Sequence, residues 1–212
     1  MKLEYPVELK SERLILRQWT EKDYSAFAEI NASSKVMEHF PSTLNERESN
    51  EFAFKLKDLI SRRGWGLWVI EEKPSGAFVG YCGLHEVPPV LSFYPAVEIG
   101  WRLSDRVWGK GYATESAQMV LNFAFSQLSL DEIVSFTSTT NHKSQNVMKR
   151  IDMQNTNNNF LHPKVAEGSP LQEHVFYKIT KQQWFALGTV KGVCKHAKIY
   201  RTCQQADGVN NE

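Results

Sequence analysis

Apolar and polar positions change their period several times along the chain, and each change marks an element. In residues 12–19, Leu14, Leu16 and Gln18 fall to one side and Ile15 and Arg17 to the other, the period-two pattern of a strand. Thr20 followed by Asp23 is a helix-start pair that satisfies free N–H groups of a first turn, and it predicts a helix to about residue 31. Asn45 with Glu48 repeats the signal for a second helix, which carries Phe52, Leu56, Leu59 and Ile60 at helical spacing until Gly64 ends it.

Two β-rich runs follow, residues 65–72 and 77–84, joined by Lys73-Pro74-Ser75-Gly76, a composition suited to tight chain reversal; together they predict a hairpin. After a loop holding Pro88, Pro89 and Pro95, Val97–Leu103 predicts another strand. From Tyr112 the period lengthens again, and Ala113, Ala117, Val120, Leu121, Ala124 and Leu128 form the single apolar stripe of a helix lying on a sheet. Residues 133–139 predict a strand, residues 144–151 a short helix bearing Val147, Met148 and Ile151, and residues 174–180 a late strand, with a polar turn or hairpin at 155–159. This order predicts an α/β (α+β) layered domain with a mixed sheet.

Composition narrows the function classes. At 212 residues, 42% apolar and 23% charged, the chain fits a globular domain and excludes disordered, collagen-like and coiled-coil readings. A net charge of +1 supplies no global field toward nucleic acid or an anionic membrane, which favours a small partner and no specific nucleic acid. Three dispersed cysteines, Cys82, Cys194 and Cys203, do not make a disulfide framework. The first ten residues carry no apolar signal-peptide core, and no run approaches the roughly 20 apolar residues of a membrane span. A cytoplasmic protein without a membrane partner is the expectation. Residues 1–184 are expected to form the domain and residues 185–212 a basic C-terminal extension, since five cations face only Asp207 and Glu212 after residue 180. Cys194, His196 and Cys203 lack a fourth ligand at a usual spacing, so no metal site is expected.

The chemistry concentrates in residues 106–113, between a strand and a strongly amphipathic helix. There, free backbone N–H groups and the positive end of a helix dipole gather, and such a loop holds phosphate. Gly109 and Gly111 let the main chain approach an anion, while Arg106 and Lys110 add positive charge. A lone G-x-G is weak, and Gly64-Trp65-Gly66 is a second instance. The loop lacks the Lys-Ser/Thr of a P-loop and the third glycine of a dinucleotide fold.

In context the pattern is more specific. Arg106-x-x-Gly109-x-Gly111-x-Ala113, preceded by Val97-Glu98-Ile99-Gly100-Trp101, resembles the acyl-coenzyme A pyrophosphate loop of the GNAT superfamily of N-acetyltransferases. Ser11-Glu12-Arg13-Leu14-Ile15-Leu16-Arg17 is similar to the opening strand of its RimJ/RimL-type branch, which modifies N-terminal amino groups of ribosomal proteins. Gly80-Tyr81-Cys82-Gly83-Leu84 resembles the second hairpin arm, Asn141-x-x-Ser144-x-x-Val147-Met148 the strand-to-helix motif, and His174-Val175-Phe176-Tyr177 the closing strand. Ile151-Asp152-Met153 departs from the glycine usual there, and nothing beyond Trp184 has a counterpart.

The resemblance implies a strongly twisted mixed sheet of about six to seven strands, splayed between the strands at 97–103 and 133–139 and flanked by about four helices. Acetyl-CoA as cosubstrate would lie in the splay, its pantetheine arm along Trp101, Arg102 and Leu103. Its pyrophosphate would rest on Arg106, Val107, Trp108, Gly109, Lys110, Gly111, Tyr112 and Ala113. Asn141 would contact the pantetheine, and Ser144 would lie near the sulfur, able to protonate the departing thiolate. Both residues also suit helix capping. Glu98 is the leading base, with base or substrate-binding and a plain solvated or salt-bridged strand residue both open; Tyr177 is a weaker acid and Trp65 a substrate wall. The implied activity is acetyl transfer to a primary amine, either a protein N-terminus or a small molecule, by direct attack in a ternary complex. The rival is a catalytically inactive acyl-CoA sensor or scaffold. The superfamily contains monomers and homodimers.

Overall fold

The computed structural model describes residues 6–191. Strands β1 (Leu9–Lys10) and β2 (Leu14–Arg17) open the chain. The Thr20–Asp23 capping box forms and starts a single 3-10 turn, which runs into α1 (Tyr24–Ala32). Asn45 caps α2 (Glu46–Arg63): its side chain accepts from the Glu48 N–H while Glu48 reciprocates, and Gly64, at φ +84°, closes the helix in the left-handed conformation. The hairpin follows as β3 (Leu67–Glu72) and β4 (Ala77–Glu86), then β5 (Val97–Leu103). Next come α3 (Tyr112–Ser126), β6 (Glu132–Ser138) and α4 (His142–Arg150). The described chain ends with β7 (Gln154–Asn155), β8 (Phe160–Leu161), β9 (Glu173–Thr180) and α5 (Lys181–Lys191).

All six expected strands form, joined by β1, β7 and β8, which at two residues each are too short to show a period. The nine strands make one sheet ordered β1-β2-β3-β4-β5-β6-β9-β7, with β8 also on β9. Helix α5 runs across residue 184, the expected domain end, and Trp184 packs against Phe125 of α3. The rest of the basic extension, with Cys194, His196 and Cys203, lies outside the described residues.

Consecutive side chains of β4 show how the layers are built. Tyr81 meets Phe27 of α1 and Phe52 of α2, whereas Cys82 is hydrogen-bonded with Ser116 of α3. Because a strand alternates its faces, α1 and α2 cover one side of the sheet and α3 the other. That double cover explains why β3 and β4 are apolar almost throughout rather than alternating with polar residues.

From β1 to β5 every neighbour is antiparallel; β5 and β6 alone run parallel, and they meet at a single register, Glu98 with Val134. Just beyond it the buried Ser135 hydroxyl donates to the Ile99 carbonyl at 2.9 Å, after which the strands part. The splay inferred from the family resemblance is present. Ser135→Ala leaves a buried carbonyl unpaired and should lower stability by about 1–3 kcal/mol, read from denaturant unfolding; an unchanged midpoint would show that this bond does not hold the vertex.

Candidate functional site

The chain leaves β5 through a 3-10 turn, Asp105–Val107, capped by the Ser104 hydroxyl, which accepts from the Arg106 N–H. Gly109 and Gly111 then adopt φ of +81° and +82°, a region that side chains with a Cβ enter only at a cost. Gly111 is the N-cap of the 15-residue α3, and no side chain caps that helix. Its first N–H groups therefore stay open at the positive end of the dipole. A Cβ at Gly109 would meet open space, so bare main chain forms the wall here.

Arg13 locks this loop to the first strands. Its Nε donates to Glu115 Oε2 at 2.7 Å and an Nη donates to the Lys110 carbonyl at 2.9 Å, while the Ser11 hydroxyl donates to Glu115 Oε1 at 2.6 Å. Arg13 stands within a strand motif in the sequence, and its positioning role is not legible there, because nothing local marks a contact across about a hundred residues.

Loop, splay and α4 enclose one cavity of about 1180 Å³. Trp101, Arg102, Leu103, Val107, Trp108, Gly109, Lys110, Gly111, Tyr112, Ala113, Asn141 and Ser144 all line it, so twelve of the expected site residues are brought together. Arg13, Lys35, Arg102, Lys110, Lys143, Arg150 and Lys164 face it against only Glu38 and Glu115, which makes the cavity cationic in a chain of net charge +1. The Ile99 carbonyl points across to β6, and main-chain direction alternates along a strand; the Trp101 N–H and C=O thus face the opening past the last β5–β6 contact. Leu103 presents its carbonyl to the Trp108 indole, at 3.0 Å.

Two expected site residues lie elsewhere. The Arg106 side chain is 82% exposed and reaches Glu29 at 3.5 Å, because the 3-10 turn directs it outward. Glu98 is buried and its carboxylate pairs with His85, its cross-strand neighbour, at 2.9 Å, off the cavity wall. Trp65 and Tyr177 are buried in the core and also off the wall. Asn141 both lines the cavity and caps α4, its Oδ1 accepting from the Ser144 N–H at 3.1 Å while its Nδ2 donates to Thr137.

Three imidazoles that the sequence reading did not single out as site groups also line the cavity: His39, His162 and His174. Burial lowers all three below the usual imidazole range. His162 and His174 stand with ring centroids 4.9 Å apart, beside Phe136 and Phe160. His174 Nδ1 lies 3.1 Å from the Gln172 carbonyl, which only accepts; Nδ1 therefore carries the proton and Nε2 keeps its lone pair. His85 moves the other way: partial burial opposes its charge, but the Glu98 carboxylate outweighs that and raises it.

An uncapped helix end and a parted sheet edge sharing one cationic cavity match a known arrangement. The family model "Acetyltransferase (GNAT) domain" matches residues 13–154. The chain belongs to the GNAT acetyltransferase family. It is 26% identical over 181 residues to the uncharacterized N-acetyltransferase YnaD of Bacillus subtilis, covering 84% of this chain and 99% of that protein. Among solved structures, a GNAT-family acetyltransferase from Bacillus anthracis superposes with a TM-score of 0.70 at 25% identity, over 82% of this chain and 99% of that one. Mycobacterium smegmatis RimJ, in complex with CoA-disulfide, does so at 0.62 and 20% identity, over 86% and 93%. This GNAT chain is thus an acetyl-transferring enzyme, of a fold that uses acetyl-CoA. Among the described residues, no helix is long and apolar enough to cross a membrane.

The imidazole shifts give a pH signature. NMR titration should place His85 above 6.5 and His162 and His174 below it. A raised folded value means that the His85–Glu98 pair stabilises fully below 6.5, the ordinary value, and that this contribution is lost as the pH climbs on through the higher folded value. His85→Gln should accordingly lower the melting temperature at pH 6 and progressively less in alkaline buffer. A pH-independent loss would show that the two groups are not an ion pair.

Proposed function

We propose that the enzyme transfers the acetyl group of acetyl-CoA directly to a primary amine within a ternary complex. The observation that carries this reading is the shared cavity: the uncapped α3 N-terminus and the free main chain of Trp101 open into the same cationic space. Pyrophosphate oxygens fit the open N–H groups of residues 109–113, with Lys110 beside them. Arg106 is not needed for this, since its side chain faces outward. The pantetheine amides extend along Trp101, as a peptide adds to a sheet edge. Ser144, at the other wall, donates a proton to the departing thiolate. Direct transfer suits the chemistry of Cys82, the only described cysteine: it is buried, and burial holds its thiol up at about 12, far from a nucleophile.

The amine must attack uncharged, yet α-amino groups titrate at roughly 7.7–8.0 and lysine near roughly 10.4. Two groups compete for that proton. Glu98 lies off the cavity wall and is held by His85. His174 lines the cavity with a basic Nε2 and a lowered pKa, so it is uncharged at neutral pH. Geometry comes before pKa in choosing a base, and it favours His174 with Glu98 in support. The acceptor is a primary amine, either a protein N-terminus as in the RimJ/RimL-type branch or a small molecule. Nothing in the site favours an inactive sensor.

Two measurements test the reading. Acetyl-CoA and desulfo-CoA should raise the melting temperature of the wild type. Asn and Asp both tolerate a left-handed backbone, so Gly109→Asn should keep most of that rise and Gly109→Asp, which sets a carboxylate at the anion site, should abolish it. Equal shifts in the two variants would remove the pyrophosphate from this loop. For the base, His174→Gln should cut kcat/KM by about 100-fold or more and remove its acid limb, a larger loss than Glu98→Gln. The reverse order would return the role to Glu98.

A further inference from the structure

Arg102 has two sides in this site. Its main chain belongs to the strand edge, but its side chain turns to the opposite face of β5, under the α1–α2 connection, where Phe40 and Tyr81 flank the guanidinium at 4.0 and 5.5 Å. It is 7% exposed and lines the cavity. One Nη donates to Asn31 Oδ1 at 2.5 Å, and the buried Nε has no hydrogen-bond partner among the described residues. No carboxylate of the described residues lies within ion-pair range of it. Of the acids around that end, Glu98 is engaged with His85 and Asp105 with Lys35, and Glu38 is exposed to solvent. A buried guanidinium with a free donor and no counterion is unfavourable as it stands. A planar anion presented from the cavity to the guanidinium would supply the missing counter-charge, as a carboxylate does.

We propose that Arg102 binds a carboxylate carried by the acceptor amine, so that the substrates of this enzyme are amino acids or similar amines with a carboxylate a few bonds from the nitrogen. The spacing supports a short separation. Arg102 and Gly100 lie on the same face of one strand, one period of roughly 7 Å apart, and Gly100 has no side chain to fill the space beside the thioester path. An amine held by its carboxylate at Arg102 therefore meets the thioester near Gly100 and Trp101. Phe40 and Pro41, which also line the cavity, close over the same end and favour a compact acceptor. This inference rests on the acetyl-transfer reading above, since it takes the thioester position from it.

The experiment follows thiol release from acetyl-CoA over the standard amino acids, each paired with its amide, and over short peptides with neutral or acidic second residues. Wild type should favour the acid of the best pair by about 10- to 100-fold in kcat/KM, the range expected of a charge-assisted pair. Arg102→Gln should collapse the acid-to-amide ratio toward one, and Arg102→Lys should restore part of it; a merely structural lesion lowers both members of a pair alike. If peptides with an acidic second residue outrun every free amino acid, the carboxylate is a peptide side chain and the small-acceptor form is overturned. Acids and amides used equally well would overturn the proposal while leaving acetyl transfer intact. Should no amine release thiol although acetyl-CoA binds, direct transfer has failed, and the carboxylate site is then decided by binding. The amino acids must raise the melting temperature of wild type and not of Arg102→Gln.

Discussion

The site exists because two neighbouring strands stop pairing. Strands β5 and β6 run parallel, are connected through α3, and meet at one register before they diverge. Unpaired main chain inside a protein is unfavourable, so a gap in a sheet persists only if its edges are satisfied or exposed to a ligand. Here one edge is pinned at its vertex by Ser135 on Ile99 and at its far end by the Trp108 indole on Leu103, with Trp101 left between them. The opening is therefore bounded by specific bonds rather than being a loosely packed region.

The same divergence sorts the chemistry of β5 into sides. Its main-chain edge looks into the splay, toward α4 and the open end of α3. Its alternate side chains, Glu98, Gly100 and Arg102, look toward α1 and α2, where Tyr81 senses the charge of both Glu98 and Arg102. On the proposed reading, one seven-residue strand addresses a coenzyme with its backbone and an acceptor with its side chains. Placing both reactants on one rigid element limits the motion between them, which is the larger part of what a direct transfer requires.

Legibility followed the range of the interactions. Capping boxes, the hairpin and the α3 stripe are local, and they were readable to within a few residues. The loop was readable because Gly109 and Gly111 need positive φ, which a sequence advertises. Contacts between distant segments were not: the Arg13–Glu115 lock joins residues 102 apart, and the His162–His174 pair depends on β8 landing on β9. Glu98 was placed by its position in a motif, but sequence does not show that His85 stands opposite it. For Arg106 the residue type was read correctly as cationic and its direction was not, since a 3-10 turn between strand and helix rotates the side chain by an amount no pattern encodes.

Net charge concealed the most informative electrostatic feature. A net charge of +1 does not by itself advertise an anion site beyond the glycine loop, yet the cavity gathers seven Lys and Arg against two Glu. The balancing carboxylates are spent elsewhere, on exposed helix pairs such as Arg47–Glu51 and Arg62–Asp58, which contribute little at high dielectric. Within the cavity most cations are lysines or exposed arginines that water still screens. Arg102 is the exception, because burial removes the water without supplying a counter-charge. A buried charge left in that state is costly, and the field it sets up lies where the proposed acceptor would enter. The ligand that neutralises it gains more than it would from any of the exposed cations, which is why the selectivity of this enzyme is expected to turn on that one guanidinium rather than on the larger positive field around it.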